Sequence, residues 1–399
     1  MLITEQGTLN IGVPFFRACV LFVFITVFLF PNKSNAQLKE IVDISGYMKE
    51  LGQISASNDF SELRYDNILH SRFETEWTFT ENLEFNADLR TLLLNGYTVR
   101  NAIGLASFLE KDPNLIDMSW VWIDTDQALI HSQIDRFHIS YYNGDFELYA
   151  GRQRINWGKT LAWNPNDLFN NYAFLDFDYE ERPGVDAISA IYNLDFASSI
   201  EAGIKLADSF DEMVIAGMYR VNYKTYDLQL IAGHYQDKAA LGIGWAGYIK
   251  DAGFKGEASY FHPEDEFFNN TGSLSATLGF DYMFETSIYA QAEVLYNGGY
   301  QNRNASLSSL TQPPSADNLF ISKTGYLING SYPASPLLNG NLGIMGSFTQ
   351  KLFILFPQVS YSLDENLDLL LVSQLLKGEA FSNSVETPNV FFIRLKWSY

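Results

Sequence analysis

"NILHSRFETEWTFTENLEFNADLRTLLL", residues 67–94, decides the fold. Leu69, Phe73, Trp77 and Phe79 fall on one row of a period-two pattern, while His70, Arg72, Glu74 and Glu76 fall on the other. After the turn "TENLE", Phe85, Ala87, Leu89 and Leu93 oppose Glu84, Asn86, Asp88 and Arg90. Strict alternation bounded by a short turn reads as a hairpin. A sheet that encloses such a charged row cannot do so around a dry core, because unpaired buried charges are very costly. A water-filled lumen accepts the charges, and lipid accepts the apolar row.

The same pattern recurs along the chain. Ile200, Ala202, Ile204 and Leu206 oppose Ser199, Glu201 and Lys205, and Tyr219 and Val221 oppose Arg220 and Asn222. Leu274, Ala276, Leu278, Phe280 and Tyr282 oppose Ser273, Ser275, Thr277 and Asp281; Ile288, Ala290, Ala292 and Val294 oppose Gln291 and Glu293. Short connections ("YNGDF", "NLDFA", "NYKTYD", "YIKDAG", "MFETS", "SLDENL") alternate with long ones near 53–65, 97–130, 158–183, 207–212, 262–271, 300–345 and 378–388. That asymmetry is expected of an all-β, antiparallel, up-and-down transmembrane barrel with periplasmic turns and extracellular loops. About 16 strands are expected between Ile41 and Tyr399, the weakest near 213–222 and 346–363. Glycines at 242–247, "GIGWAG", read as small lumen-facing residues of one strand.

Length and composition agree. The chain has 399 residues, 15% of them aromatic, a formal charge of −21 and one cysteine. Arg17, the apolar run "ACVLFVFITVFLF" and "PNKSNA" read as a secretory signal peptide over 1–36, with a cut after Ala36. The run is too short for a spanning helix, which needs about 20 apolar residues. Removing 1–36 takes Arg17, Lys33, Glu5 and the one cysteine, Cys19, leaving 24 basic and 46 acidic residues in a single barrel domain, 37–399. No disulfide framework is then expected.

The final strand, "NVFFIRLKWSY", sets Phe391, Ile393, Leu395, Trp397 and Tyr399 against Arg394, Lys396 and Ser398. It is expected to close the barrel against the first strand, apolar row to lipid. Ending on an aromatic also fits the signal by which barrel assembly machinery recognises its clients; the usual terminal residue there is Phe, and here it is Tyr399.

One stretch departs from the hairpins: "GRQRINWGKTLAWNPNDLFNN", 151–171, followed by "EERPGVDAI", 180–188. It resembles a set of porin-like outer-membrane barrels in which a GRQ-x-x-x-WG strand leads into an NP-x-D-x-F loop. Gly151, Arg152, Gln153, Trp157, Gly158, Asn164, Pro165, Asp167 and Phe169 carry the resemblance, with Arg182, Gly184 and Asp186 after them. It covers about forty residues and implies a barrel with passive transport, without a named solute.

Read physically, Leu148 and Ala150 set a lipid-facing phase that would carry Arg152 and Arg154 into lipid, at about 2–4 kcal/mol each. A bulge near Gly151 would return both, with Asn156, to the lumen, and turn Ile155 and Trp157 outward. The apolar segment that follows, with an Asn164–Asp167 turn, is expected to fold inward. Candidate constriction residues are therefore Arg152, Arg154, Asn156, Asn164, Asp167 and Phe169; the alternative for the arginines is pairing with acids such as Glu147 or Glu201. Arg72, Glu74, Arg90, Lys205, Arg220, Arg394 and Lys396 form a lumen ladder of mixed sign, and 300–345 is expected to act as a partial plug or a binding surface.

Other chemistry finds little support. His70, His131, His138, His234 and His262 have no metal-ligand spacing and no cysteine beside them. "HPEDE" (262–266) and "DFDYEE" (176–181) lack the order of a calcium loop and read as solvated acidic loops. His234 lies on the row of Leu228, Leu230 and Ala232, but no serine accompanies it as a rim lipase would need. The acidic chain has no basic stripe for nucleic acid. No cofactor, metal or enzymatic activity is expected, and no residue demands a homo-oligomer, although one is compatible. The expectation is a bacterial outer-membrane porin in contact with lipid, passing small polar solutes, anions among them. The alternative is a non-conducting barrel for surface binding, adhesion or envelope assembly.

Overall fold

The computed structural model describes residues 41–57, 60–178, 181–265, 267–300, 314–378 and 389–399; the signal-peptide reading of 1–36 lies outside them, as do 301–313 and 379–388 of the expected long loops. Alternating apolar and polar residues build β1 (Val42–Ala56), β2 (Leu63–Thr80), β3 (Leu83–Gly96), β4 (Ser119–Asp124), β5 (Leu129–Asn143) and β6 (Phe146–Gln153). Next come β7 (Val185–Asp195), β8 (Ser198–Lys205), β9 (Val214–Tyr223), β10 (Tyr226–Tyr235), β11 (Lys238–Ile249) and β12 (Ala252–Pro263). The chain continues through β13 (Ser273–Met283), β14 (Tyr289–Asn297), β15 (Thr324–Pro333), β16 (Leu338–Gly346), β17 (Leu352–Asp364), β18 (Leu367–Gly378) and β19 (Asn389–Ser398). Two short helices, α1 (Tyr97–Asn101) and α2 (Leu105–Glu110), precede β4.

Every neighbouring pair is antiparallel, and β19 pairs with β1 from Ser398↔Tyr47 to Asn389↔Ala56, so the sheet closes. The last strand is thus covered by the first, as its two-faced sequence requires. Closure satisfies the backbone N–H and C=O groups that an open edge would leave bare in lipid. Among the described residues no helix is long and apolar enough to cross a membrane; the strands are the spanning elements. Ile393, Leu395, Trp397 and Tyr399 are exposed on the outer face, as are Leu230, Leu241, Ile243, Tyr260 and Val294. The residues alternating with them face inward and are buried or, on β19, half-buried.

The wall holds 18 strands rather than about 16, with β4 as an additional strand outside the closed ring. The two missed strands are β15 and β16, a hairpin within the stretch expected as one long loop. In "TGYLINGSYPASPLLNGNLGIMG" Gly, Asn and Pro dilute the alternation, yet the strands pair from Tyr326↔Gly346 to Pro333↔Asn339. β3 pairs with the whole of β5 along one edge, so β4 shares the other edge with β6: Ser119–Asp124 lie against Leu129–Gln133, and β6 against Phe137–Asn143. β4 thereby lies along β5 beyond the end of β6, outside the closed ring.

A bulge in β5 has a local electrostatic result. Asp88 pairs with Arg136 and Leu89 with Ile134, so Asp135 is the extra residue. Strict alternation would put Asp135 and Arg136 on opposite faces. The bulge instead brings Asp135 inward, 2.7 Å from Arg72 and 3.2 Å from Arg90.

Candidate functional site

Residues 154–184 leave the wall at Gln153 and rejoin it at Val185. Between these points they travel around the inside of the barrel. Ile155 and Trp157 are buried, while Arg154 and Asn156, alternating with them, are exposed. Ile155 and Trp157 therefore face the wall and the two polar residues face the interior. Trp157 donates Nε1–H to Glu201 on β8 (3.0 Å), its carbonyl accepts from Gln229 on β10 (2.9 Å), and its ring meets Phe169 edge-on at 5.0 Å.

The next residues are held by two wall carboxylates. Glu257 on β12 accepts the N–H groups of Lys159, Thr160 (2.7 Å) and Asn166 (3.0 Å). Glu293 on β14 accepts those of Leu161 (2.9 Å), Ala162 (3.2 Å) and Trp163 (3.0 Å). Both carboxylates are fully buried. Such a carboxylate is tolerable because hydrogen bonds replace its water, and those to a charged acceptor are the stronger kind. Asn164–Asp167 forms the expected turn, with the Asp167 N–H donating to the Asn164 carbonyl at 3.1 Å. Asn166 lies over Gly242 and Gly244, where an added Cβ would come 2.9 Å and 2.8 Å from its side chain; the small inward residues of "GIGWAG" make room for it.

The return leg is apolar until its end. Phe174 meets Phe356 on β17 at 5.9 Å, the Leu175 carbonyl accepts from Gln374 on β18 (2.7 Å), and Phe177 meets Phe392 on β19 at 4.5 Å. Asp178 then binds three strands around the closure of the barrel: Lys49 on β1 at 2.9 Å, His70 on β2 at 3.3 Å and Arg394 on β19 at 3.6 Å. Burial opposes its charge, but His70 and Lys49 prevail and hold its carboxyl below the usual range. The circuit closes at Arg182, which reaches Asp167 at 3.3 Å, lies 3.5 Å over the Tyr172 ring, and offers its carbonyl to Arg136 at 2.6 Å. A second segment lies inside as well: Ala316, Leu319 and Phe320 are buried, and Phe320 meets Trp163 at 5.3 Å. The described part of the expected 300–345 loop is thus partly an inward packing element and partly the β15–β16 hairpin.

Several of the expected positions differ in the structure, so the candidates divide. No bulge occurs at Gly151: β6 pairs residue for residue with β5 and β7, and Gly151 itself adopts φ 121°. Ile155 and Trp157 pack against the inner side of the wall and do not reach lipid, because the chain leaves the wall after Gln153. Arg152 does not line the interior. It is fully buried opposite Asp186, on the same face as lipid-exposed Ile188. There it binds Asp186 at 2.9 Å, Asp112 at 2.6 Å and the carbonyls of Ile134 and Ile116. Its partners are neither Glu147 nor Glu201. The segment before β4 covers the pair, which removes the cost of placing an arginine against lipid. Asn164, Asp167 and Phe169 are buried and fasten the loop, while Arg154 and Asn156 remain accessible.

The ladder is mostly neutralised. Arg72 is bound by Glu74 (2.6 Å), Asp88 (2.8 Å) and Asp135 (2.7 Å). Arg90 meets Asp135, Arg220 meets Glu201 at 3.4 Å, and Lys396 lies 4.7 Å over Tyr47. Lys205 is half-buried on β8. In the acidic stretch 176–181, Asp178 is not a solvated loop acid as the composition suggests but a half-buried anchor. His234 is occupied by Glu264 (2.8 Å) and the Phe210 carbonyl (3.1 Å). Among the described residues no cluster of three or more metal-ligating side chains occurs.

Sequence reasoning missed the anchoring roles of Asp112, Asp135, Asp178, Glu257 and Glu293, and Arg182 as an interior cation. Glu293 stood out only as an acid on the inward row, and nothing in the spacing of Glu257 or Glu293 points to backbone about a hundred residues away.

No family model matches the chain, and no curated protein matches it. The fold does match solved structures. Outer membrane protein OprD from Pseudomonas aeruginosa is 8% identical with a TM-score of 0.59, covering 90% of this chain and 93% of that one. Acinetobacter baumannii OccAB2 is 9% identical, TM-score 0.58, covering 90% and 98%. Pseudomonas aeruginosa OccK9 (OpdG) is 11% identical, TM-score 0.57, covering 90% and 98%.

Proposed function

We propose that the protein is a bacterial outer-membrane channel through which small polar solutes diffuse, its lumen narrowed by residues 154–184. The observation that carries this reading is the circuit those residues make inside a closed, lipid-facing barrel. Buried carboxylates and apolar contacts hold the segment against the wall, while Arg154 and Asn156 are turned inward. The likeness of fold to an outer membrane protein and to Occ proteins supports it.

Anions are favoured over cations in this reading. Arg154 is exposed on the segment with half-buried Lys159 near it, whereas Arg182 is paired with Asp167 and most ladder cations are paired and contribute little net charge. Outer-membrane lipid is the surrounding phase, and the C-terminal row Phe391, Ile393, Leu395, Trp397 and Tyr399 is proposed as the insertion signal read by the assembly machinery. The chain acts by positioning and electrostatics rather than by catalysis.

Single-channel recording of refolded protein in a planar bilayer, under a salt gradient, tests the reading. Stable open steps with an anion-directed reversal potential are expected. A folded barrel that never opens would overturn it and leave the surface-binding alternative, for which exposed Ile103, Phe108 and Trp122 on the segment 97–124 are the place to look.

A further inference from the structure

We infer that Asp167 is a specificity-determining residue of the channel, a buried counter-charge whose protonation unmasks Arg182 and turns the opening toward anions. This rests on the channel reading above.

The geometry singles out this carboxylate. Asp167 is fully buried, unlike Glu181, the other acid of the cluster. Its Oδ2 meets Arg182 at 3.3 Å. The backbone N–H groups of Asn170 and Trp157 turn toward it, yet Oδ1 has no bond of normal geometry among the described residues. Glu257 and Glu293 each accept three backbone N–H groups, whereas this buried carboxylate is met by a guanidinium and keeps one oxygen unsatisfied.

The groups around it are mostly cationic. Arg182 faces it from the return leg and Arg154 from the outgoing leg. Arg136 on β5 stands behind Arg182, and Glu181 lies 4.0 Å from Arg136. Tyr172 supports the Arg182 guanidinium and Tyr235 faces Asp167 from β10. Arg136 is balanced chiefly by Asp135 and Asp88, so Arg154 and Arg182 are left with Asp167 and the half-buried Glu181.

Burial pushes the Asp167 carboxyl up to about 6, against the pull of Arg182. Above that value the carboxylate cancels Arg182. Below it Asp167 takes a proton from solvent, becomes neutral, and leaves one more positive charge at the opening, because a guanidinium stays protonated throughout. One unit charge about 8 Å away in near-aqueous surroundings is worth about 0.5 kcal/mol to each ion. Acting in opposite senses on anion and cation, it changes their permeability ratio roughly fivefold.

The test is reversal potential under a KCl gradient, from about pH 7.5 to about pH 5. In the wild type the anion-to-cation ratio should rise roughly fivefold on acidification. In Asp167→Asn it should already be high at about pH 7.5 and rise less on acidification, and Asp167→Glu should restore the wild-type rise. If Asp167→Asn fails to refold, Arg182→Gln replaces it and should lower the anion-to-cation ratio at about pH 5, where the wild-type guanidinium is unmasked. An open channel that rises as much in Asp167→Asn as in the wild type, or whose ratio at about pH 5 is unchanged in Arg182→Gln, overturns the inference alone. A folded wild type that never opens overturns the channel reading and takes this inference with it.

Discussion

Glu293 and Trp163 are 130 residues apart, yet the Trp163 N–H donates to Glu293 Oε1 at 3.0 Å. With Glu257, this carboxylate fixes where the segment 154–184 lies. Replacing Glu293 by Ala leaves three backbone N–H groups unpaired, at about 1–3 kcal/mol each. The expected result is a lower unfolding temperature and a larger, noisier conductance. An unchanged single-channel amplitude would show that the segment does not set the pore.

Arg152 and Arg154 are two residues apart and should behave oppositely. Arg154→Ala removes an accessible interior cation and should shift the reversal potential toward cations. Arg152→Ala strips Asp112 and Asp186 of a buried partner, a loss of about 3–5 kcal/mol, and should destabilise the segment around α2 and β4 with no change in selectivity. Comparing both variants by reversal potential and thermal unfolding checks the division.

Asp178→Asn should loosen the return leg and the barrel closure together. Lys49, fully buried, would lose the Asp178 carboxylate as an ionic partner, at a cost of about 1–3 kcal/mol. The folded-state carboxyl of Asp178 lies below its unfolded value, so its contribution is present above about pH 4 and is lost only as pH falls through the lower folded value. Heat-modifiable mobility on gels should therefore hold between about pH 8 and about pH 5 in the wild type and shift to lower temperature in the variant.

Gly244→Val should expel Asn166 from its place over β11. The new side chain would meet Gln229 and Asn166, with the first contact at 2.7 Å, and overpacking of this kind costs about 1–3 kcal/mol. Lower thermal stability and altered conductance with an intact barrel signature are expected; wild-type behaviour in both would show that the segment is not seated there.

Much of the architecture could be read from residue order. In 67–94 the two rows assign lipid and lumen without any knowledge of neighbours, because a strand's facing has period two. The same rule located most hairpins and the closing role of Phe391–Tyr399. It failed where glycine, asparagine and proline diluted the rows, and β15 and β16 were absorbed into a loop. It failed again at Asp135, since a bulge resets the phase and one extra residue changes the face of all that follow.

The sequence by itself determined that this chain forms a two-faced antiparallel barrel, and that 151–188 departs from the repeat and turns inward. Both follow from patterns a few residues long. Only the tertiary structure decided what the charges in that stretch do. Arg152 is an external strut because Asp112 comes back to cover it, and Glu257 and Glu293 are anchors because backbone N–H groups reach them from about a hundred residues away. Asp178 joins β1, β2 and β19 because the segment completes its circuit there. Pairing of buried charges depends on where distant strands meet, and local spacing carries no record of that.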